Sequence, residues 1–138
     1  MLGISSYTQD YIDACRARVE SQLAAYRDLV GAAPGQAVAA FAPVFFDNMV
    51  LVLDSYFLHR LRTKEGKDGN PLNEVRVLCT SMLVNGSVLA ADRTIRLKPE
   101  TSVLGLAVGD EISLDEPAFV RLAEAYFAEI EARFLKED

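Results

Sequence analysis

Residues 43–62 read PVFFDNMVLVLDSYFLHRLR, and the apolar content of this stretch decides the fold. Its large apolar side chains occupy nearly every side of a helical wheel, so the spacing predicts one helix from Pro43 to about Arg62. A helix that is apolar on all sides is typical of a protein interior. We therefore expect this helix to lie in the middle of a helical bundle.

Two helices are predicted on the N-terminal side of that stretch. Ser6 and Gln9 have the spacing of a capping box, and apolar residues then recur at three- and four-residue steps over residues 7–31. A group of glycine and proline residues between 31 and 35 ends this amphipathic helix. The alanine-rich residues 36–42 are expected to form a short helix that leads to Pro43.

The stretch HRLRTKEGKDGNPLNEVR, residues 59–76, contains the densest group of turn-forming residues. Gly66 predicts a helix end, and Asn70 followed by Pro71 predicts the cap and the first residue of a new helix over residues 71–84. Because the connection is short, the helices on either side of it are expected to be antiparallel neighbours.

Residues 106–114, LAVGDEISL, alternate in polarity around Gly109 and Asp110, which predicts a small β-hairpin. Asp115 then caps a last helix whose apolar face extends to Phe134. These patterns predict a single all-α domain over residues 1–138. Its architecture is an antiparallel bundle of four main helices with a small β-hairpin before the last helix.

The composition is that of a globular protein with an apolar core. Of the 138 residues, 51% are hydrophobic and 25% are charged. The N-terminal residues lack the basic and apolar regions of a signal peptide, and no apolar run approaches the roughly 18 residues of a membrane span. Cys15 and Cys79 are too few for a disulfide framework or a zinc site, so we expect a cytoplasmic protein in which both are buried and reduced.

The net charge of −6 disfavours binding to nucleic acid. Residues 59–98 differ from the ends of the chain, because their eight basic and four acidic side chains give a local net charge of +4. Two interpretations remain open. The middle of the chain either contains a binding site for an anion or is a neutral-to-basic turn region flanked by acidic helices.

Most enzyme signatures are absent from the sequence. It contains no glycine-rich phosphate loop, no Cys-x-x-Cys or His-Glu-x-x-His pattern, and no Glu-x-x-His pair of the kind that holds two metals in a helical bundle. A single histidine excludes a histidine-rich metal site within one chain. We therefore predict no catalytic residue, no metal and no cofactor.

His59 is the best candidate for chemistry if the protein is an enzyme, because histidine transfers protons near neutral pH. The anion-binding candidates around it are Arg60, Arg62, Lys67, Asn73 and Arg76. Guanidinium groups bind phosphate bidentately, and Asn73 is expected to orient the ligand. The structural alternative is that His59 caps a carbonyl group or bonds to Asp54 or Asn48.

The segments CTSMLVNGSV (79–88) and VGDEISLDEPAFVRLAEAYFAEIEARF (108–134) resemble the HEPN superfamily, helical bundles common among prokaryotic toxin, antitoxin and defence proteins. Active members cleave RNA without a metal by means of the arginine and histidine of an Arg-Asn-x-x-x-His-Asn segment. At those positions this chain has Cys79 and Val84, and Asn85 alone agrees. The resemblance therefore implies the fold more than the activity. The stretch KDGNPLNEVR (67–76) is also similar to an uncharacterised bacterial family, which implies no role.

The leading prediction is a non-catalytic helical-bundle protein that acts through protein interaction, either as a homodimer or as a subunit that binds a protein partner. Its basis is a complete core pattern without catalytic groups. The alternative is an RNase, or a nucleotide- or phosphate-binding protein, with its site around His59, Arg62 and Arg76. Nucleic acid is not the favoured partner, and no membrane association is expected.

Overall fold

Helices make up the regular structure between residues 3 and 137, the part of the chain that the computed structural model describes. They are α1 (Gln9–Ala32), α2 (Gln36–Ser55), α3 (Arg62–Glu65), α4 (Pro71–Val84) and α5 (Glu116–Phe134). Helix α5 packs against the other four, and α2 also contacts α1 and α4. The predicted all-α class is confirmed.

Polar side chains cap the N-terminal ends of α4 and α5. Asn70 Oδ1 accepts a hydrogen bond from the backbone N–H of Leu72 at 2.9 Å, and Pro71 is the first residue of α4. Asp115 Oδ1 accepts a hydrogen bond from the backbone N–H of Ala118 at 2.9 Å. Each cap satisfies a backbone donor that has no partner within its helix, and both confirm the predicted helix starts.

The cap of α1 is Thr8, whose side chain accepts a hydrogen bond from the backbone N–H of Tyr11 at 3.2 Å. The predicted capping box at Ser6 is therefore wrong. Tyr7, the residue before Thr8, pairs with the end of α5 instead, because its N–H donates to the Phe134 carbonyl at 2.7 Å. This long-range bond delays the start of the helix.

Helix α2 runs without a break from Gln36 to Ser55 and includes Pro43. The predicted separate helix over residues 36–42 is therefore wrong. Proline removes one backbone donor and crowds the preceding turn, but the remaining hydrogen bonds of this 20-residue helix keep it continuous.

The predicted extension of this helix to Arg62 is also wrong, because residues 59–61 pair with the N-terminal segment. The Ile4 N–H donates to the His59 carbonyl at 2.7 Å, and the Leu61 N–H donates to the Ile4 carbonyl at 2.8 Å. Gly3 permits this close approach, since a Cβ at that position would lie 2.8 Å from Leu61 Cα. The chain therefore leaves α2 before His59.

The β-hairpin predicted over residues 106–114 is wrong, and no strand occurs within the described residues 3–137. The second half of that segment pairs with the chain that follows α4. The Leu89 N–H donates to the Asp110 carbonyl at 2.9 Å, and the Ile112 N–H donates to the Ser87 carbonyl at 2.8 Å. These contacts take up the backbone groups that a local hairpin would use.

Aromatic rings form the centre of the core. The fully buried ones include Phe46, Phe57, Phe119, Tyr126 and Phe134. Both cysteines are buried and make no disulfide, as predicted. The rings come from α2, from α5 and from the segment after α2, so burying them joins these elements into one core.

Only one side of α2 is buried, in contrast to the prediction that this helix lies in the interior. Phe46, Met49 and Val50 face the core, whereas Phe41 and Val44 are 43% and 66% exposed. By length and composition, α2 is also the one helix within residues 3–137 that is able to cross a membrane, a property that it shares with core helices of soluble proteins. No uninterrupted apolar run indicates this property in the sequence, because Asp47 and Asn48 divide the apolar residues of α2 into two shorter runs.

Candidate functional site

Arg60 lies at the centre of a buried polar network beneath the turn that follows α2. Its Nη1 donates to Asp54 Oδ1 at 2.8 Å, and its Nε donates to Glu65 Oε1 at 2.8 Å. Its remaining donors reach the carbonyl groups of Phe57 and Leu72. Burial lowers the pKa of Arg60, but Tyr126, Asp54 and Glu65 raise it by more, so Arg60 stays charged.

Glu65 is the acceptor at the centre of this network, and its side chain is fully buried. Besides Arg60, it accepts hydrogen bonds from Arg76 Nη2 at 2.6 Å and from Asn73 Nδ2 at 2.7 Å. Burial raises the pKa of Glu65, but the contacts with Arg76, Arg60 and Asn73 outweigh burial and lower it below its ordinary value. The buried carboxylate is therefore ionised at neutral pH.

Asn70 and Asn73 hold the turn against this network. Asn70 Nδ2 donates to the Glu65 carbonyl at 2.8 Å, while its Oδ1 caps α4. Asn73 Oδ1 accepts a hydrogen bond from the Gly69 N–H at 3.0 Å, and its Nδ2 also donates to the Gly66 carbonyl at 3.0 Å. Both amides are buried, so they fix the path of residues 65–70.

The predicted site residues divide into three groups. His59, Arg62 and Arg76 line one open groove together with Gly3, Ile4 and Arg60, whose side chain is buried. Lys67 lines a different groove. Asn73 is fully buried and contacts neither opening. The structure therefore brings His59, Arg62 and Arg76 together and separates Lys67 from them.

The guanidinium groups of Arg60 and Arg76 already bind Glu65, whereas His59 and Arg62 are exposed. An anion in the groove would find His59 and Arg62 accessible and would compete with Glu65 for Arg76. Within residues 3–137 no group of three or more potential metal-binding side chains occurs. Anion binding at these residues stays a prediction.

Sequence reasoning missed Glu65 and Glu74 as organising residues. Glu74 is buried and accepts hydrogen bonds from the backbone N–H groups of Val103 and Leu104 at 2.8 and 2.9 Å. Burial raises the pKa of Glu74, and these two hydrogen bonds lower it less, so the pKa is raised overall. In the sequence, the helix dipole alone accounts for an acidic residue in the first turn of α4, and the loop that Glu74 binds lies about thirty residues later.

A second feature of the surface is an apolar groove between α2 and the end of α4. The groove, which we call the α2 groove, is lined by Phe41, Val44, Phe45, Leu51, Met82 and three polar residues, Asp47, Asn48 and Ser87. Leu83 and Val84 follow Met82 and are 70% and 77% exposed. A contiguous exposed apolar surface in a folded domain is a binding surface more often than other parts of the surface are.

Residues 29–46, which we call the arm, contribute one end of the α2 groove and carry no charge. Between Asp28 and Asp47 the sequence contains no acidic or basic residue. This stretch comprises the end of α1 and the first half of α2, and most of its side chains are exposed. An exposed helical surface normally carries charges, so this arm resembles an interface more than a solvated face.

In comparisons with known proteins, no family model, curated protein or solved structure matches this chain significantly.

Proposed function

We propose that this protein is a non-catalytic, cytoplasmic interaction protein that forms a homodimer through the α2 groove. The exposed apolar lining of this groove carries the proposal, since Phe41 and Val44 remain in contact with water in the single chain. Their burial against a second apolar surface would contribute to binding at about 25 cal/mol per Å² of apolar area.

A second copy of the chain is the partner that the charges favour. Two molecules that each carry a charge of −6 repel one another, and symmetric dimers bring identical patches together. Because the arm between Asp28 and Asp47 is uncharged, a symmetric interface there brings no like charges together. A symmetric interface through an acidic surface elsewhere on the chain would bring like charges together.

A stable interface buries about 800 Å² on each partner, which is more than one groove supplies. The exposed residues beside the α2 groove extend the apolar area. Leu29 and Val30 lie at the end of α1, and Leu83 and Val84 lie at the end of α4. A homodimer that covers the arm and the end of α4 would bury more apolar surface than the groove alone.

Analytical ultracentrifugation over about a hundredfold range of concentration tests the proposal, because a dimer dissociates on dilution. We expect the mass to rise to that of a dimer, and Val44→Glu to weaken the dimer at least tenfold, since it buries an unpaired charge. Val108→Glu is the matched control: Val108 is the same residue type, is also 66% exposed, and lies outside the α2 groove.

A mass that stays monomeric at every concentration would refute the homodimer, as would equal effects of the two substitutions. Flotation of the protein with liposomes of neutral lipids, lost in Val44→Glu, would assign the arm to a membrane and would also refute the proposal. Liposomes are the appropriate probe because α2 is long and apolar enough to cross a membrane.

A second candidate function is binding or cleavage of a phosphate-containing ligand such as RNA around His59. It is supported by the common groove of His59, Arg62 and Arg76. Cleavage of RNA that is lost in His59→Ala and retained in Ser55→Ala, with unchanged folding in both variants, would favour this candidate over the non-catalytic one. We expect no cleavage by the wild-type protein.

A further inference from the structure

A groove distinct from the one at His59 collects positive charge in an acidic protein. It is lined by Lys67, Asp68, Thr94, Arg96, Lys98 and Thr101. Sequence reasoning assigned Lys67 to a site with His59, but its neighbours in the structure are Arg96 and Lys98. We call this feature the cationic groove.

The backbone beneath the cationic groove is fixed by close contacts between its two segments. The Arg96 N–H donates to the Lys67 carbonyl at 2.9 Å. Gly69 has a φ of +88°, and a Cβ at this position would lie 2.4 Å from the Arg96 carbonyl oxygen. Only glycine allows the two segments to meet in this way, so the spacing between Lys67 and Arg96 is built into the fold.

The side chains of Arg96 and Lys98 point outwards from the same segment. Ile95 is buried and Leu97 half-buried, while Arg96 and Lys98 between and after them are exposed. This alternation places both cations on one side of an extended chain. The turn after them is closed by the Ser102 N–H, which donates to the Lys98 carbonyl at 3.0 Å.

None of the three cations has an ion-pair partner within residues 3–137. The one acidic residue of the groove, Asp68, is bound by Asn70 Nδ2 at 2.7 Å and by Arg133 Nη2 at 3.3 Å. The three cations therefore share one groove with a single carboxylate that other donors already bind. Their mutual repulsion would be relieved by a bound anion.

We propose that the cationic groove binds the phosphate group of a small molecule. Arg96 offers a planar pair of N–H donors and the two lysines offer point charges, a combination suited to a phosphate dianion. Thr101 adds a hydroxyl group at the rim. No aromatic side chain lines the groove, so it lacks the stacking surface used for nucleobases, and the net charge of −6 opposes a long polyanion.

The binding site is tested by NMR titration of the full chain with inorganic phosphate at constant ionic strength. Saturable shifts of the backbone amide signals of residues 94–101 are expected, with an affinity in the millimolar range or tighter, corresponding to about −4 kcal/mol. Arg96→Gln and Lys98→Gln are each expected to weaken phosphate binding at least fivefold, since each removes one charge from the site. Both residues are exposed, so the variants are expected to fold normally.

Arg93→Gln is the matched control, because Arg93 is exposed in the same segment but does not line the groove. An equal loss of phosphate affinity in Arg93→Gln would mean that the substitutions act through the overall charge of the protein, and it would overturn the proposal. Amide shifts that do not saturate with phosphate would overturn it as well. Glycerol phosphate in place of inorganic phosphate distinguishes a monoester from the free ion, and either result supports the proposal. Much tighter binding of a short RNA that displaces phosphate would assign the groove to nucleic acid and overturn the small-molecule proposal.

Discussion

Arg60 and Glu65 form an ion pair of 2.8 Å in which both side chains are completely removed from solvent. The two residues are only five positions apart, but Arg60 lies in the connection between α2 and α3, whereas Glu65 is the last residue of α3. A buried ion pair is not a large net source of stability, but removing one partner leaves the other charge without compensation. The pair therefore fixes the path of the turn.

Glu65→Gln is expected to lower the free energy of unfolding by about 3 kcal/mol, within the usual cost of breaking a buried ion pair. The amide supplies one acceptor where the carboxylate accepts from Arg60, Arg76 and Asn73. Urea unfolding followed by circular dichroism measures the loss. The control is Glu116→Gln, which breaks the more exposed pair between Arg27 and Glu116 and should cost less than about 1 kcal/mol.

Acid should remove the contribution of Glu65. Because its pKa is lowered in the folded state, the stabilisation is present above the unfolded-state value of about 4.3 and is lost as the pH falls through the folded-state pKa. The difference in unfolding free energy between the wild type and Glu65→Gln is therefore expected to be largest at neutral pH and to shrink below about pH 4. A difference that grows on acidification would contradict the lowered pKa.

Glu74→Ala should release the loop that contains Val103 and Leu104, since it leaves both backbone N–H groups without their acceptor. Hydrogen exchange of these two amides is expected to accelerate, and the protein should lose about 2 kcal/mol of stability. Glu100→Ala, an exposed residue of the same region, is the control and should change neither quantity measurably. Unchanged exchange in Glu74→Ala would mean that the loop is held by its apolar contacts.

Two glycines separate the effect of backbone conformation from that of close packing. Gly69 and Gly109 both have positive φ, +88° and +96°, but a Cβ would meet the Arg96 carbonyl oxygen only at Gly69. Gly109→Ala is expected to cost about 1 to 2 kcal/mol from conformation alone. Gly69→Ala should cost clearly more in thermal unfolding, because the two segments of the cationic groove must also move apart. Equal costs would argue against the close contact.

The sequence predicted the parts of the fold that depend on local chemistry. Asn70, Pro71 and Asp115 cap or begin α4 and α5 where expected, and the apolar spacing identified the buried face of α5. These predictions succeeded because a cap and a helical face involve residues within a few positions of one another.

The remaining features depend on partners that are far apart in the chain. The early end of α2 depends on Ile4, and the missing hairpin depends on pairing of residues 109–112 with residues 87–89. Lys67 was grouped with His59 by proximity in sequence, while its structural neighbours Arg96 and Lys98 lie about thirty positions later, a separation at which a single sequence gives no pairing signal. The partners of Glu65 are only 5 to 11 positions away, but they lie on α4 and in the connection before α3, so no regular helical spacing indicated this network.

The contact of Tyr7 with the end of α5 has a consequence for synthesis on the ribosome. The Tyr7 N–H donates to the Phe134 carbonyl, and the Tyr7 carbonyl accepts from the Lys136 N–H at 2.8 Å. The backbone of Tyr7 is therefore bonded on both sides to residues about 130 positions later. At 5–20 residues per second, Lys136 is made about 6 to 26 s after Tyr7. Throughout that interval the backbone of Tyr7 lacks these native partners, and closure of the fold awaits the arrival of the end of α5.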